Sequence, residues 1–467
     1  MKNRNIGYII VGIIILIAVL FWFRTEAPNP QKANAFIIST AIFLIVFVFI
    51  SLRWMHETAA ALLGSVAVLL INYIGGTFSS SLKIINFEEA MSLVDWNVIF
   101  LIMGMMIFIA MLSETGIFGW LAFRAFRMAK GNAWVLGMVL VLLTGVLSAL
   151  LNDVTAILLL VPLSIQIAQT VGVHPFTYVL PMVLASNIGG AATLIGDPPS
   201  TIVGSHIGLG FVEYLINMAP IAFLCMIVLL GMTTLLYRKE FFGIKQGLSP
   251  ALEIELEKGA QIKDAALLRK AGLVGTITLI LFFIGDLFHL PPSVIALSGA
   301  AVLITWVKPD MHRMMREVDW TTLVFFIGLF IVVGALERTE VISWIAGKIN
   351  DLANNDPNIA SILMVWVPGL ASGVVANIPF TVAALPIADF LTAAVPGTGN
   401  NVLYWGLILG ADLGGNSTYI GSAPNIVALG LLAQAGYHLS FIRFMRDGVP
   451  VTIITLIIAT IWLIVRY

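Results

Sequence analysis

Long apolar stretches alternate along the chain with short polar ones, and most are as long as a helix needs to cross a bilayer, roughly 17 to 25 residues. They fall at 6–23, 35–52, 57–75, 96–113, 177–207 and 217–237, and again at 267–288, 292–307, 320–337, 401–435 and 448–465. Two pairs of apolar arms, 133–150 with 154–171 and 358–375 with 378–395, are separated only by the polar tips LLNDVT and VANIPF. Each pair predicts a helical hairpin. Two shorter amphipathic segments, around Arg124–Lys130 and Trp344–Leu352, are expected along the membrane surface. The pattern predicts an all-α polytopic membrane protein with about 11 transmembrane helices and two hairpins. The first stretch follows Lys2 and Arg4 but is too long for the apolar core of a signal peptide, so it reads as an uncleaved helix.

Two of the longest stretches carry the same interruption. ASNIGGAATLIGDPPS (Ala185–Ser200) and GADLGGNSTYIGSAPN (Gly410–Asn425) superpose at a shift of 225, setting Gly189 and Gly190 on Gly414 and Gly415, Thr193 on Thr418, Gly196 on Gly421 and Pro199 on Pro424. MSLVDWNVIFLIMG (Met91–Gly104) likewise matches MREVDWTTLVFFIG (Met315–Gly328) at a shift of 224, and ALLG (Ala61–Gly64) recurs as ALSG (Ala296–Gly299). The chain thus divides into an extra helix and loop (1–34), a first repeat (35–237), a cytoplasmic linker (238–266) and a second repeat (267–467). Each repeat makes five net crossings, an odd number, so the second lies upside down relative to the first. Paired, interrupted helices in an inverted repeat are the best sequence pointer to the binding site of a secondary transporter.

Composition agrees with this picture. Of 467 residues, 60% are hydrophobic and 10% charged, with a mean hydropathy of +1.02, against roughly 25% charged in soluble domains. A net charge of -1 gives no reason to expect nucleic acid. Cys225 is the only cysteine, which excludes an intrachain disulfide and a thiolate metal cluster, and no phosphate-binding glycine loop is present for ATP hydrolysis. His174, His289 and His438 fall in loops without metal-ligand spacing, and the 18 methionines are scattered as packing. No metal and no resident cofactor are expected. The basic residues Lys2, Arg4, Arg53, Arg124, Arg127, Lys130, Lys308, Arg313, Arg316, Arg443 and Arg446, together with the linker, fall on one side, which the positive-inside rule makes cytoplasmic. The N-terminus is then inside, and the C-terminus outside, an inner (plasma) membrane.

Chemistry concentrates at the hairpin tips and the interrupted helices. The first repeat offers Ser148, Asn152, Asp153 and Thr155, then Asn187, Gly189, Gly190, Thr193 and Asp197. The second offers Ser372, Asn377 and Thr381, then Asp412, Gly414, Gly415, Asn416, Ser417, Thr418 and Ser422. Non-helical backbone at membrane depth must be buried in protein or line an aqueous cavity, because lipid satisfies no hydrogen bond. Aligned tips set Asp153 against Asn377, and aligned breaks set Asn187 against Asp412, so each repeat supplies one Asp and one Asn with their places exchanged. Neither motif holds Lys or Arg, a composition suited to a cation, a proton or a neutral polyhydroxy solute. An ionisable group within a bilayer is by default functional, so Asp153 and Asp412 are the first coupling candidates, with helix capping as the alternative. Asp197, ahead of Pro198 and Pro199, reads equally as a coupling group or a simple N-cap. Asp95 and Asp319 read as helix caps beside the interfacial anchors Trp96 and Trp320, and Glu114 as a solvated or surface-paired group.

SALLNDVTAILLLVPLSIQ followed by ASNIGGAATLIGDPPSTIVGS resembles the arsenite-permease, NhaD-type sodium/proton antiporter and P-protein group of the ion-transporter superfamily. The resemblance covers residues 35–467 and extends, more distantly, to the divalent-anion/sodium symporters. It implies hairpins re-entering from opposite sides, tips that meet unwound helices at a midplane site, elevator-type movement against a scaffold, and a homodimer. It maps binding residues onto Asn152, Asp153, Thr155, 187–197, Asn377 and 412–422. The tips read Leu-Asn-Asp and Ala-Asn-Ile where the dicarboxylate branch reads Ser-Asn-Thr, which speaks against a carboxylate cargo. The first expectation is therefore export of arsenite or antimonite, as a neutral trihydroxide, in exchange for protons. Amides and hydroxyls would hold the solute and Asp153 or Asp412 the proton, and a soluble ATPase subunit would be a further partner of an arsenite pump. The second expectation is sodium/proton antiport on the same carboxyls, with H+ or Na+ as coupling ion, and the third is sodium-coupled anion symport. A channel would lack stoichiometric coupling, and an intramembrane enzyme would need a nucleophile–base pair that the chain does not offer.

Overall fold

The computed structural model describes residues 28–130, 132–242 and 261–467. The expected first helix at 6–23 and most of the linker lie outside the described residues. Among the described residues every regular element is helical, and nine helices are long and apolar enough to cross a bilayer.

In the first repeat, α1 (Ala33–Ser51), α2 (Glu57–Phe78) and the short α3 (Phe87–Ser92) precede α4 (Trp96–Glu114) and α5 (Ile117–Met128). Then come the hairpin arms α6 (Ala133–Leu151) and α7 (Asp153–Val171), the interrupted pair α8 (Phe176–Gly190) and α9 (Pro198–His206), and α10 (Phe211–Leu236). The second repeat runs through α11 (Ala265–Ile284), α12 (Pro292–Val307), α13 (Met311–Glu317), α14 (Trp320–Arg338) and α15 (Val341–Ala353). Its hairpin arms are α16 (Pro357–Ser372) and α17 (Asn377–Ala394), its interrupted pair α18 (Val402–Gly414) and α19 (Ala423–Gln434), and its last helix α20 (Phe441–Arg466).

Helix α10 begins at Phe211 rather than near 217, and α20 at Phe441 rather than near 448, because polar first turns carrying Glu213 or Arg443, Arg446 and Asp447 are helical without being apolar. The amphipathic α5 buries Phe118, Ala122, Phe123 and Phe126 and leaves Arg124 and Arg127 exposed, as expected of a surface helix. Glu114 forms an exposed ion pair with Arg313 at 3.2 Å.

The helices group into two compact units. One holds residues up to 95 with 321–360 and 385–398; the other holds 96–320, 361–384 and 399–467. In the first unit α14 lies directly on α2, where a Cβ added at Gly328 would stand 2.9 Å from the carbonyl carbon of Ala61. Ser39 and Thr339 share a buried hydroxyl hydrogen bond of 2.6 Å nearby. In the second unit α4 lies on α12, where a Cβ added at Gly104 would stand 2.9 Å from the carbonyl carbon of Ala296. Gly104 corresponds to Gly328, and Ala296 to Ala61, so the same backbone contact is made once in each direction between the repeats. That reciprocity is what two repeats related by a twofold axis produce. Within the second unit every residue of α8 and of α18 is buried, which explains why neither helix shows a polar face.

Candidate transport site

Each hairpin tip is tied to the break of the interrupted helix in its own repeat, by the same bonds. The Asp153 amide donates to the Gly196 carbonyl at 3.1 Å, and the Asn377 amide to the Gly421 carbonyl at 3.0 Å. Ser148 donates through its hydroxyl to the Ser186 carbonyl (2.6 Å), and Ser372 to the Ala411 carbonyl (2.7 Å). Thr193 reaches the Ala149 carbonyl, and Thr418 the Gly373 carbonyl (2.6 Å). These bonds satisfy backbone groups that the missing helical turns leave free, as an apolar medium demands. A Cβ at Gly189 would collide with the Gly145 carbonyl, and one at Gly414 with the Gly369 carbonyl, so only glycine admits the first arm of each hairpin this close. Because each break lies partway along an interrupted helix, a tip bonded to it turns back at that level.

The side chains at the breaks fall into two groups. Around Asn187 they close on one another. Its amide nitrogen donates to Asn416 Oδ1 (2.7 Å) and Asn425 Oδ1 (3.1 Å), and its oxygen accepts from the Ser422 hydroxyl (2.8 Å). Asn416 donates onward to the Leu184 carbonyl (3.3 Å), and Asn425 to the carbonyls of Gly415 (2.8 Å) and Thr418 (2.9 Å). Asn187 and Asn425 each use both amide donors and Asn416 one, and every side-chain oxygen and nitrogen of the three has a partner, so this network is satisfied across the two repeats.

Around Asp412 the arrangement is open. Its two oxygens receive only long bonds, from Asn377 Nδ2 and from the Ser200 hydroxyl, each at 3.4 Å. Asp412 sits in the last turn of α18, the negative end of a helix, so it is no cap. Asp197 stands against it and within electrostatic range of Asp153, and among the described residues no N–H or hydroxyl donates to either Asp197 oxygen. Asp197 occupies the N-cap position of α9 but caps nothing: Pro198 and Pro199 offer no N–H, and its carboxyl accepts none from Ser200. The simple N-cap reading of Asp197 is thereby overturned. Asp153 does accept its neighbour's amide, from Val154 at 2.7 Å, at the start of α7. All three carboxyls are at most 1% exposed.

Of the other expected residues, Asn152 turns the first tip at φ 121° and accepts from Val154, and Ser417 bonds back to the Gly414 carbonyl. Gly190 and Gly415 line the backs of the breaks, each close to the carbonyl of Gly196 or Gly421. Thr155, on the first turn of α7, joins none of these bonds. Ser200 and Asn425 were not singled out by sequence. Their signal was the shift of 225 itself, which pairs them with each other as it pairs Asp197 with Ser422. A cavity of about 450 Å³, lined by Asn97, Ser205, Glu213, Asp286 and His289, reaches Leu194 in the first break.

Paired interrupted helices in a repeated chain, each met by a hairpin tip beside buried carboxyls, define a secondary transporter spanning the membrane several times. The chain belongs to the CitMHS family, described as citrate transporters, whose model matches residues 47–410. It is 34% identical to the 46 kDa membrane protein of Mycobacterium leprae, over 92% of this chain and 99% of that one. It is 30% identical to the human P protein, over 92% of this chain and 60% of that one. Among solved structures it is similar to the YdaH transporter of Alcanivorax borkumensis, with a TM-score of 0.56 at 14% identity, covering 88% of this chain and 98% of that one. It is similar also to MtrF of Neisseria gonorrhoeae, with a TM-score of 0.55 at 10% identity, covering 88% and 95%. At such identities the last two speak for the fold alone.

Proposed function

We propose that the protein exchanges a small inorganic cation, sodium in the first instance, for protons across an inner membrane, with its N-terminus in the cytoplasm. The observation that carries this reading is the convergence of Asp153, Asp197 and Asp412, all buried, on a region where their described partners are amides, hydroxyls and backbone. Carboxyl groups gathered in a low-dielectric interior require compensating positive charge, and either protons or a cation supply it. Alternation between the two is exchange. A citrate cargo, which the family description suggests, would bring further negative charge to a region whose described bonds come from no basic side chain. Arsenite as a neutral trihydroxide is supported less well, because the amides that would hold it, Asn187, Asn416 and Asn425, are bonded to one another.

Proteoliposomes loaded with a pH-sensitive dye test the reading against a panel of Na+, Li+, K+, arsenite, antimonite and citrate. Proton movement driven by an alkali cation supports it. Uptake of labelled arsenite or citrate, with no cation-driven proton movement, overturns it.

A further inference from the structure

The site has two halves related by the inverted repeat, and they differ in whether they can close. In one, Ser422 donates to Asn187 at 2.8 Å, and Asn187 donates to Asn425 at 3.1 Å. The counterparts at a shift of 225 are Asp197 for Ser422, Asp412 for Asn187, and Ser200 for Asn425. The second contact survives in the other half as Ser200 donating to Asp412 at 3.4 Å. The first cannot. A serine facing an asparagine is a donor facing an acceptor, whereas two carboxylates are acceptors only. Hence Asp197, 1% exposed, has both oxygens unpartnered while standing against Asp412. Asp153, at the first tip, stands within electrostatic range of both Asp197 and Asp412, and the second tip brings to Asp412 an amide in the matching place, Asn377, at 3.4 Å. Oxygen-only ligands of this kind suit a hard cation rather than a soft one.

We infer that Asp197 and Asp412 form the single cation seat of the transporter, and that the mirror half at Asn187 and Ser422 is a neutral fastening that binds no ion. Resting on the exchange reading, this sets one cation per transport cycle although the fold offers two equivalent places. The fastening joins the break of one repeat to the break of the other.

The experiment is saturation binding of radiolabelled Na+ to the purified full chain, beside its thermal unfolding. The wild type binds one Na+ per chain. The variant carrying Asp197→Ser and Asp412→Asn copies the fastening onto the seat, so it binds Na+ at least about 100-fold more weakly and unfolds at a higher temperature, because an unsatisfied buried pair becomes a hydrogen-bonded one. Should that variant not fold, the near-isosteric Asp412→Asn alone serves, with an expected loss of at least about tenfold in affinity. Two Na+ per wild-type chain, or undiminished binding by either variant, overturns the single seat while Na+-driven proton movement in proteoliposomes leaves the exchange reading standing. If no alkali cation binds the wild type or moves protons, the exchange reading fails, and the seat with it.

Discussion

The half of the site around Asn187 and the half around Asp412 rest on matching backbone, with matching tip-to-break bonds at 3.0 and 3.1 Å, yet one is saturated with hydrogen bonds and the other is starved of them. The backbone equivalence shows that the geometry of both breaks is set by the duplicated glycines and hydroxyls. What distinguishes the halves is five exchanges of side chain, Asn for Asp at 187 and 412, Asp for Asn at 153 and 377, Asp for Ser at 197 and 422, Ser for Asn at 200 and 425, and Ala for Asn at 191 and 416. A saturated half stabilises; an unsatisfied one holds its groups available for a ligand, at a cost in stability.

Substitutions can break this contrast at its strong end first. Asp412→Asn should reduce cation-driven proton exchange in proteoliposomes by about 100-fold or more, since it leaves Asp197 facing a neutral amide and removes one of the two carboxyls of the seat, whereas Asn187→Gln should retain measurable exchange. Equal losses from both would mean that the halves share the work. Gly189→Ala and Gly414→Ala should each destabilise the detergent-solubilised protein by about 3 kcal/mol, because the added methyl meets backbone rather than a movable side chain. The two effects should match, and a clear mismatch in melting temperature would show the breaks to be less alike than their backbones. Asn187→Ala strands Ser422 and removes a donor from Asn416 and Asn425, so a loss of about 2 kcal/mol is expected. Asp197→Ala should instead raise the melting temperature, as it removes an unsatisfied buried carboxyl. Smallest of all, Ser148→Ala and Ser372→Ala each delete one hydroxyl bond to a carbonyl and should cost about 1 kcal/mol apiece.

Much of the fold was legible before any coordinates. Apolar length located the helices, and the shift between repeats located their breaks, because both are local properties of a chain that must satisfy its own backbone in lipid. The ends were less legible: polar first turns lengthened α10 and α20 beyond their apolar cores. At the site, alignment of the repeats paired Asn187 with Asp412 and Asp153 with Asn377, and both pairs hold in the structure. Asp197 was harder. Two prolines after an Asp look like an ordinary helix start, and only the packing shows that its carboxyl turns away from α9 toward Asp412.

The sequence by itself determined the repeat, the two breaks and the identities of the groups placed there, because each follows from hydropathy or spacing along the chain. Only the tertiary structure decided which of those groups satisfy one another. Asn187 finds its partners at Asn416, Ser422 and Asn425, in the opposite repeat. A hydrogen bond depends on direction and on distances of a few tenths of an ångström. No periodicity in the chain encodes that, and so the difference between a closed half and an open one appears only when the two repeats meet.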